Sequence, residues 1–411
     1  MPTRPKSNKS QSAKSGDAYD TSAIAAWLID GARSASKSED VLTEMCVRLS
    51  ECGLPLWRVA VYVNTLHPQI LARRFLWRPG VTAGVDEAPF ALATNVGYRD
   101  SPIFRVRSTG ETIRRRLADP HCLLDFEILK ELREEGATDY LATPLRFTNG
   151  EIHSASFTTQ QAGGFSEAQM SGLEAILPPL ARVAEVRALR RTAVNLLDAY
   201  VGHDAGERIL AGRIQRGDTE TIRAAIWLSD MRGFTKLADT IAPQALIERL
   251  NLFFDCLVPA IEAEGGEVLK FMGDGLLAIF RFADESGVDA ACARALRAGR
   301  QARTKIEALP ADSVGENEAR LRFGLALHLG EALYGNIGGG GRLDFTCIGP
   351  AINMAARLEK IASKLGRVIV ASSAFAGRLP GDFTALGDFE LAGFRSAQTV
   401  FGLREDGAEN G

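Results

Sequence analysis

Two aspartates in this sequence stand at the exits of apolar runs: Asp230 in SDMRGFT, residues 229–235, and Asp274 within GGEVLKFMGDGLLAIF, residues 265–280. A strand ending at each would set both carboxylates at the edge of a sheet. Such a pair suits a hard divalent cation, because Mg²⁺ takes one or two protein carboxylates and completes its shell with waters and phosphate oxygens. The two residues together point to a metal-nucleotide site. Taken singly, either Asp also suits a helix cap or a turn. Further on, Asn353 and Arg357 stand four apart in INMAARLE, whose apolar spacing predicts a helix carrying both on one face. The planar arginine fork meets phosphate oxygens in pairs. On a solvent-facing helix the same two residues would be ordinary surface.

The elements that must hold these groups belong to a chain of 411 residues, long enough for two or three domains. Its 46% hydrophobic and 24% charged residues allow substantial buried cores. A net charge of −3 gives no general attraction to nucleic acid or anionic membranes. No run of about 18 apolar residues occurs, so no membrane span is expected. The six cysteines show neither CxxC pairs nor zinc spacing. They read as reduced thiols in a cytoplasmic protein. Residues 1–20 are polar and lysine-bearing without a signal-like apolar block, which predicts a disordered tail. Residues 405–411 read as a flexible one.

From residue 21 the spacing predicts a helix to about 52, closed by Gly53 and Pro55. WRVAVYVN and ILARRFLWR follow as a strand pair. A helix is expected over 122–135, then a hairpin of DYLATPLRF and EIHSASFTTQ joined through Asn149-Gly150. Residues 165–202 predict a long helix with Ser166 as N-cap, interrupted or kinked by Pro178 and Pro179. Its apolar stripe, including Leu180, Val183, Val186 and Leu189, suits a parallel contact between two protomers or packing on its own domain. This order of elements over 21–165 resembles a GAF domain, a small-molecule sensor fold. The resemblance implies a ligand pocket between the sheet and the mid-domain loops from about Tyr98 to Asp125, for a ligand of unknown identity. His67, His121 and His153 lack ligand spacing and read as ordinary surface or core residues.

Residues 222–403 resemble a class III nucleotidyl cyclase catalytic domain. The likeness rests on AAIWLSDMRGFTKLAD, GGEVLKFMGDGLLAIF, RFGLALHLGEALYGNIG and RLDFTCIGPAINMAARLEKIA. It implies conversion of ATP to 3′,5′-cyclic AMP and pyrophosphate. Asp230 and Asp274 would hold two Mg²⁺ or Mn²⁺ ions, with the backbone of Met231 as a further ligand. Asn353 would orient the ribose, and Arg357 would stabilise charge on the transition-state phosphate. Lys270, four before the second metal Asp, and Thr346, seven before the Asn, would read adenine. A lysine donates to the unprotonated ring nitrogen of adenine and would face a protonated one in guanine. Thr at the second position is similar to the subgroup called IIIb.

Three departures bear on this reading. Cys347 adjoins Thr346, and a one-residue slip would put a cysteine at the base-reading position, as in guanylate cyclases. The usual triphosphate-clamping lysine is missing from LAGFRSAQTVF, which leaves Arg395 as the candidate. Pro350 replaces the acidic residue often found before the Asn. The expected fold class is α+β or α/β: a ferredoxin-like, βαββαβ-type catalytic domain over 221–404, preceded by the GAF-like α+β domain and a helical signalling linker over 166–220. The resemblance further implies a head-to-tail homodimer with sites shared between chains, and regulation by the N-terminal domain. A guanylate cyclase and a catalytically silent nucleotide receptor are the alternatives.

Overall fold

The computed structural model describes residues 20–309, 321–394 and 396–406. The tail expected over residues 1–20 lies outside them except for Asp20, as does Arg395. The chain divides into two compact units, Met1–Leu196 and Leu197–Gly411.

In the first unit the single helix expected over 21–52 is two, α1 (Ser22–Ile29) and α2 (Ser38–Glu51). The chain turns between them at Gly31 and Ala32, both at positive φ. Strands β1 (Arg58–Asn64), β2 (Ile70–Trp77) and β3 (Gly84–Pro89) follow. The stretch after them, featureless by periodicity, holds short helices α3 (Val96–Arg99) and α4 (Pro102–Thr109) and strand β4 (Ile113–Arg115). Helix α5 (Glu127–Glu134) precedes the hairpin of β5 (Asp139–Arg146) and β6 (Ile152–Thr159). The six strands form an antiparallel sheet in the order β3-β2-β1-β6-β5-β4. One face of the sheet packs Val59, Val61, Leu141 and Phe157 with α1, α2 and α6 (Glu167–Val201). The other packs Tyr140 and Ala142 under α4 and α5.

Helix α6 opens on a capping box, in which Ser166 Oγ accepts from the Gln169 amide and Gln169 Oε1 accepts from the Ser166 amide. It runs through Pro178 and Pro179 without interruption. Leu173, Ile176, Leu180 and Ala181 flank the prolines and are buried, and that burial offsets the missing backbone donors. Val186 and Leu189 stand 65% and 61% exposed.

The second unit begins with α7 (His203–Leu210) and the long strand β7 (Thr219–Met231). Then come α8 (Phe234–Ala238), α9 (Pro243–Ala263), the hairpin β8 (Glu267–Met272) and β9 (Gly275–Arg281), and α10 (Val288–Glu307). Strands β10 (Phe323–Gly339) and β11 (Arg342–Ile348) lead into α11 (Pro350–Leu365). The unit closes with β12 (Ile369–Ser372), α12 (Ser373–Ala376), β13 (Phe383–Phe389) and β14 (Gln398–Leu403). The sheet order is β13-β14-β12-β10-β7-β9-β8, with β11 paired to β10. Its inner part, β7-α9-β8-β9-α10-β10, has the expected βαββαβ order with the first and third strands central.

Burial on both faces explains why β7 reads as a continuous apolar run. Ala225 and Trp227 face α9 and α10, while Ala224, Ile226 and Leu228 face α7 and α11. The end of the chain is tied in as far as Asp406, placed with the tail by sequence: its Oδ2 accepts from the Ile369 amide at 2.8 Å.

Candidate active site

Asp230 lies one residue from the end of β7, opposite Gly275 of β9 and Gly324 of β10. Asp274 occupies the β8–β9 turn, after Gly273 at φ +67°. The Met231 amide donates to the Asp274 carbonyl at 3.0 Å, so one hydrogen bond fastens the two acidic segments together. Gly275 is needed for this approach, because a Cβ there would stand 2.9 Å from the Ser229 carbonyl oxygen.

Two residues not singled out by sequence complete the cluster. Arg232 Nη1 donates to Glu359 Oε1 at 2.6 Å and lies 3.2 Å from Asp230 Oδ1. The second contact has ion-pair distance without hydrogen-bond geometry, and Asp230 Oδ1 is buried with no hydrogen-bond partner. Burial raises the Asp230 carboxyl to about 7, helped by its contact with Glu359 and the charge of Asp274 and opposed by Arg232. Asp274 is also raised, by burial first and by the charge of Glu359.

A desolvated carboxylate pair with an orphaned oxygen is what a divalent cation would satisfy. The residues fit such an ion. Among the described residues no three His, Cys, Asp or Glu side chains form a group that could hold a metal ion by themselves.

The remaining sequence candidates form two more groups. Lys270 follows a β-bulge on edge strand β8 and its Nζ bonds Asp344 on β11. Thr346 lies two residues along β11, on the face of Asp344 by the two-residue alternation of a strand. Cys347 takes the opposite face, buried against Tyr334 and Phe345, and burial pushes its thiol up to about 11. The register therefore separates Thr346 from Cys347. Asp344 was missed by sequence, although the same alternation groups it with Thr346.

Asn353 and Arg357 share α11, which Pro350 opens at a position needing no amide donor. Arg357 Nη1 donates to the Asn353 carbonyl at 2.8 Å, Nε donates to the Ala392 carbonyl, and the guanidinium sits 5.5 Å from the Phe394 ring centroid. Among the described residues no hydrogen bond or ion pair joins Asp230 or Asp274 to Lys270, Thr346, Asn353 or Arg357.

In the first unit a cavity of about 360 Å³ lies beside Gly97, Ser101, Leu124 and Phe126, among the loops and helix starts and with no strand residue in its lining. Ser154 Oγ and Thr158 Oγ1 on β6 are buried without hydrogen-bond partners. A larger groove, about 1050 Å³, lies on the other side of the sheet, lined by Val41, Val61, Phe75, Leu180 and Arg187. His153 Nδ1 accepts from the Asn64 amide and its ring packs on Phe147, while His67 Nδ1 accepts from the amides of Gln69 and Ile70. Among the described residues no helix is long and apolar enough to cross a membrane.

Residues 218–404 match the family model of the adenylate and guanylate cyclase catalytic domain. An adenylate cyclase of Anabaena cylindrica is 30% identical over 154 residues, 37% of this chain and 30% of the relative. Adenylate cyclase 1 of Rhizobium meliloti is 28% identical over 177 residues, 42% of this chain and 26% of the relative. The matched regions are thus under a third of either relative's length. The solved adenylyl cyclase CyaB from P. aeruginosa is 24% identical, covers 47% of this chain and 100% of its own, and has a TM-score of 0.42. The strand end, turn and helix described above fall inside the span, residues 218–404, that matches the adenylate and guanylate cyclase catalytic domain.

Proposed function

We propose that this protein is an adenylate cyclase, a phosphorus-oxygen lyase that converts ATP to 3′,5′-cyclic AMP and pyrophosphate. The observation that carries the reading is the acidic pair: Asp230 and Asp274, fastened by the Met231 amide, desolvated, with one carboxylate oxygen unsatisfied. In the reaction the ribose 3′-oxygen bonds to the α-phosphorus, the bond to the departing pyrophosphate breaks, and the hydroxyl proton is released. Asp230, Asp274 and the backbone of Met231 would hold two Mg²⁺ or Mn²⁺ ions. Such ions supply polarisation of the hydroxyl and neutralisation of the leaving phosphates. Asn353 orients the ribose, and Arg357 meets the charge that develops on the α-phosphate. Lys270 and Thr346 read the adenine edge, while Arg395 is the candidate for the triphosphate.

The active form is a head-to-tail homodimer, each site drawing its acidic pair from one chain and Lys270, Thr346, Asn353 and Arg357 from the other. The N-terminal unit acts as a GAF-like sensor of a small molecule, and the protein works in the cytoplasm with no membrane span and no nucleic-acid partner.

The deciding assay supplies purified protein with ATP or GTP and with Mg²⁺ or Mn²⁺, and identifies the product by chromatography. Cyclic AMP formed in preference to cyclic GMP is expected. Preferential cyclic GMP, or binding without turnover, would overturn the assignment. Mixing Asp274→Ala with Arg357→Ala protein, each nearly inactive alone, should restore one intact site per heterodimer. A mixture no more active than its components would rule out shared sites.

A further inference from the structure

Helix α11 carries Asn353 and Arg357, and it also carries Glu359, through which it meets the acidic end of β7. Arg232 is the joint between them, at 2.6 Å from Glu359 Oε1 and 3.2 Å from Asp230 Oδ1. Arg232 and Glu359 are only 14% and 13% exposed. The guanidinium lies flat on the backbone of Gly324 in β10: a Cβ at 324 would stand 1.7 Å from Nη2 and 2.1 Å from Cζ. Arginine side chains normally swing on a flexible stem, but here the neighbouring strand and two carboxylates fix the head group.

The direction of this link has a consequence in the dimer proposed above, on which the inference rests. There the acidic pair of a chain serves one site, while α11 of that same chain serves the other. We propose that Arg232 and Glu359 are positioning residues that couple the two sites, so that loading the acidic pair of one site shifts Asn353 and Arg357 in its neighbour. With a cation held at Asp230 and Asp274, the Arg232 guanidinium would be repelled and Glu359 attracted, so that both ends of the bridge would be drawn on at once. Glu359 is two residues from Arg357 and six from Asn353 on one continuous helix, so its displacement is passed to both. The coupling needs no contact between the two nucleotides, only one shared element with two arrangements.

The test measures binding rather than turnover. Binding of 3′-deoxy-ATP, which lacks the attacking hydroxyl, to the full chain is followed by equilibrium dialysis at saturating Mn²⁺, so that each site counts one nucleotide however many ions it holds. The native dimer should show two classes of site whose affinities differ by about fivefold or more. Glu359→Gln should merge them into one class. Gly324→Ala, which alters no charge but displaces the guanidinium, should do the same, and it stands alone as the test if the first variant does not fold. Dimer size and melting temperature are read alongside. A native dimer with two identical independent sites, or a folded variant that keeps the unequal pair, overturns the proposal. Absence of any nucleotide binding would instead sink the cyclase reading, and the coupling with it.

Discussion

In the free protein the Lys270 ammonium is held by Asp344, so its approach to a base is set before any nucleotide arrives. Lys270→Ala should lower kcat/KM for ATP by roughly 10- to 100-fold, the scale of one charged hydrogen bond, with a smaller loss for GTP. Asp344→Ala leaves the ammonium free to turn and should narrow the ATP to GTP ratio in the same assay. An unchanged ratio in both variants would remove these residues from base selection. His328 gives a second prediction at this scale. Burial lowers its pKa to about 4 from an ordinary 6.5, and its Nδ1 lies 2.8 Å from Ser372 Oγ. The folded state therefore keeps the imidazole neutral while the unfolded chain takes up a proton below pH 6.5. Stability should fall as pH drops from about 6.5 to 4, by up to about 3 kcal/mol, and level off below that. Urea midpoints across this range should show the loss, and His328→Gln should flatten it.

Among the elements, α7 is held to the catalytic sheet by a charged cluster around Tyr334. Arg281 bonds Asp204 and Glu267, each at 3.0 Å, Arg208 bonds Glu220 at 2.7 Å, and the Arg281 and Arg208 guanidinium groups lie 4.5 and 5.3 Å from the Tyr334 ring centroid. Arg281→Ala removes the cation shared by Asp204 and Glu267, leaving Asp204 only Arg208 at 2.7 Å and Glu267 only the Tyr334 hydroxyl at 2.9 Å. We expect a loss of about 2 kcal/mol and faster amide exchange over α7, with β7 still protected. Equal exchange in both proteins would show that α7 is held without Arg281.

The strands around this cluster were legible in sequence because each is a long run with both faces or one face apolar. So was the Asn353 and Arg357 helix, whose spacing is periodic. What sequence could not show was contact across distance. Glu359, Arg232 and Asp344 were not singled out, since nothing local marks their partners. At the proline pair in α6 local propensity argued for a break or kink, and the helix is unbroken there, with the surrounding leucines and isoleucine buried. The short elements α3, α4 and β4 have too few residues for any period to register.

At the scale of the whole molecule, the two units set up a comparison between the full chain and residues 203–411 alone. If the N-terminal unit regulates the catalytic one, the two proteins should differ in activity or in dimerisation by about fivefold or more, as a coupling of 1 to 3 kcal/mol would give. Identical specific activity and identical sedimentation would leave the N-terminal unit with no regulatory part. Val186 and Leu189, exposed on α6 in the full chain, are the residues to replace with lysine if dimerisation proves to depend on that helix.

The seat of Arg232 on bare backbone also limits how this domain can diverge. Positions 232 and 324 lie in different segments of the chain, yet no side chain fits at 324 while an arginine lies across it. The two sites should drift as a pair among descendants of this sequence: wherever alanine or anything larger is found at the second, a residue shorter than arginine is expected at the first.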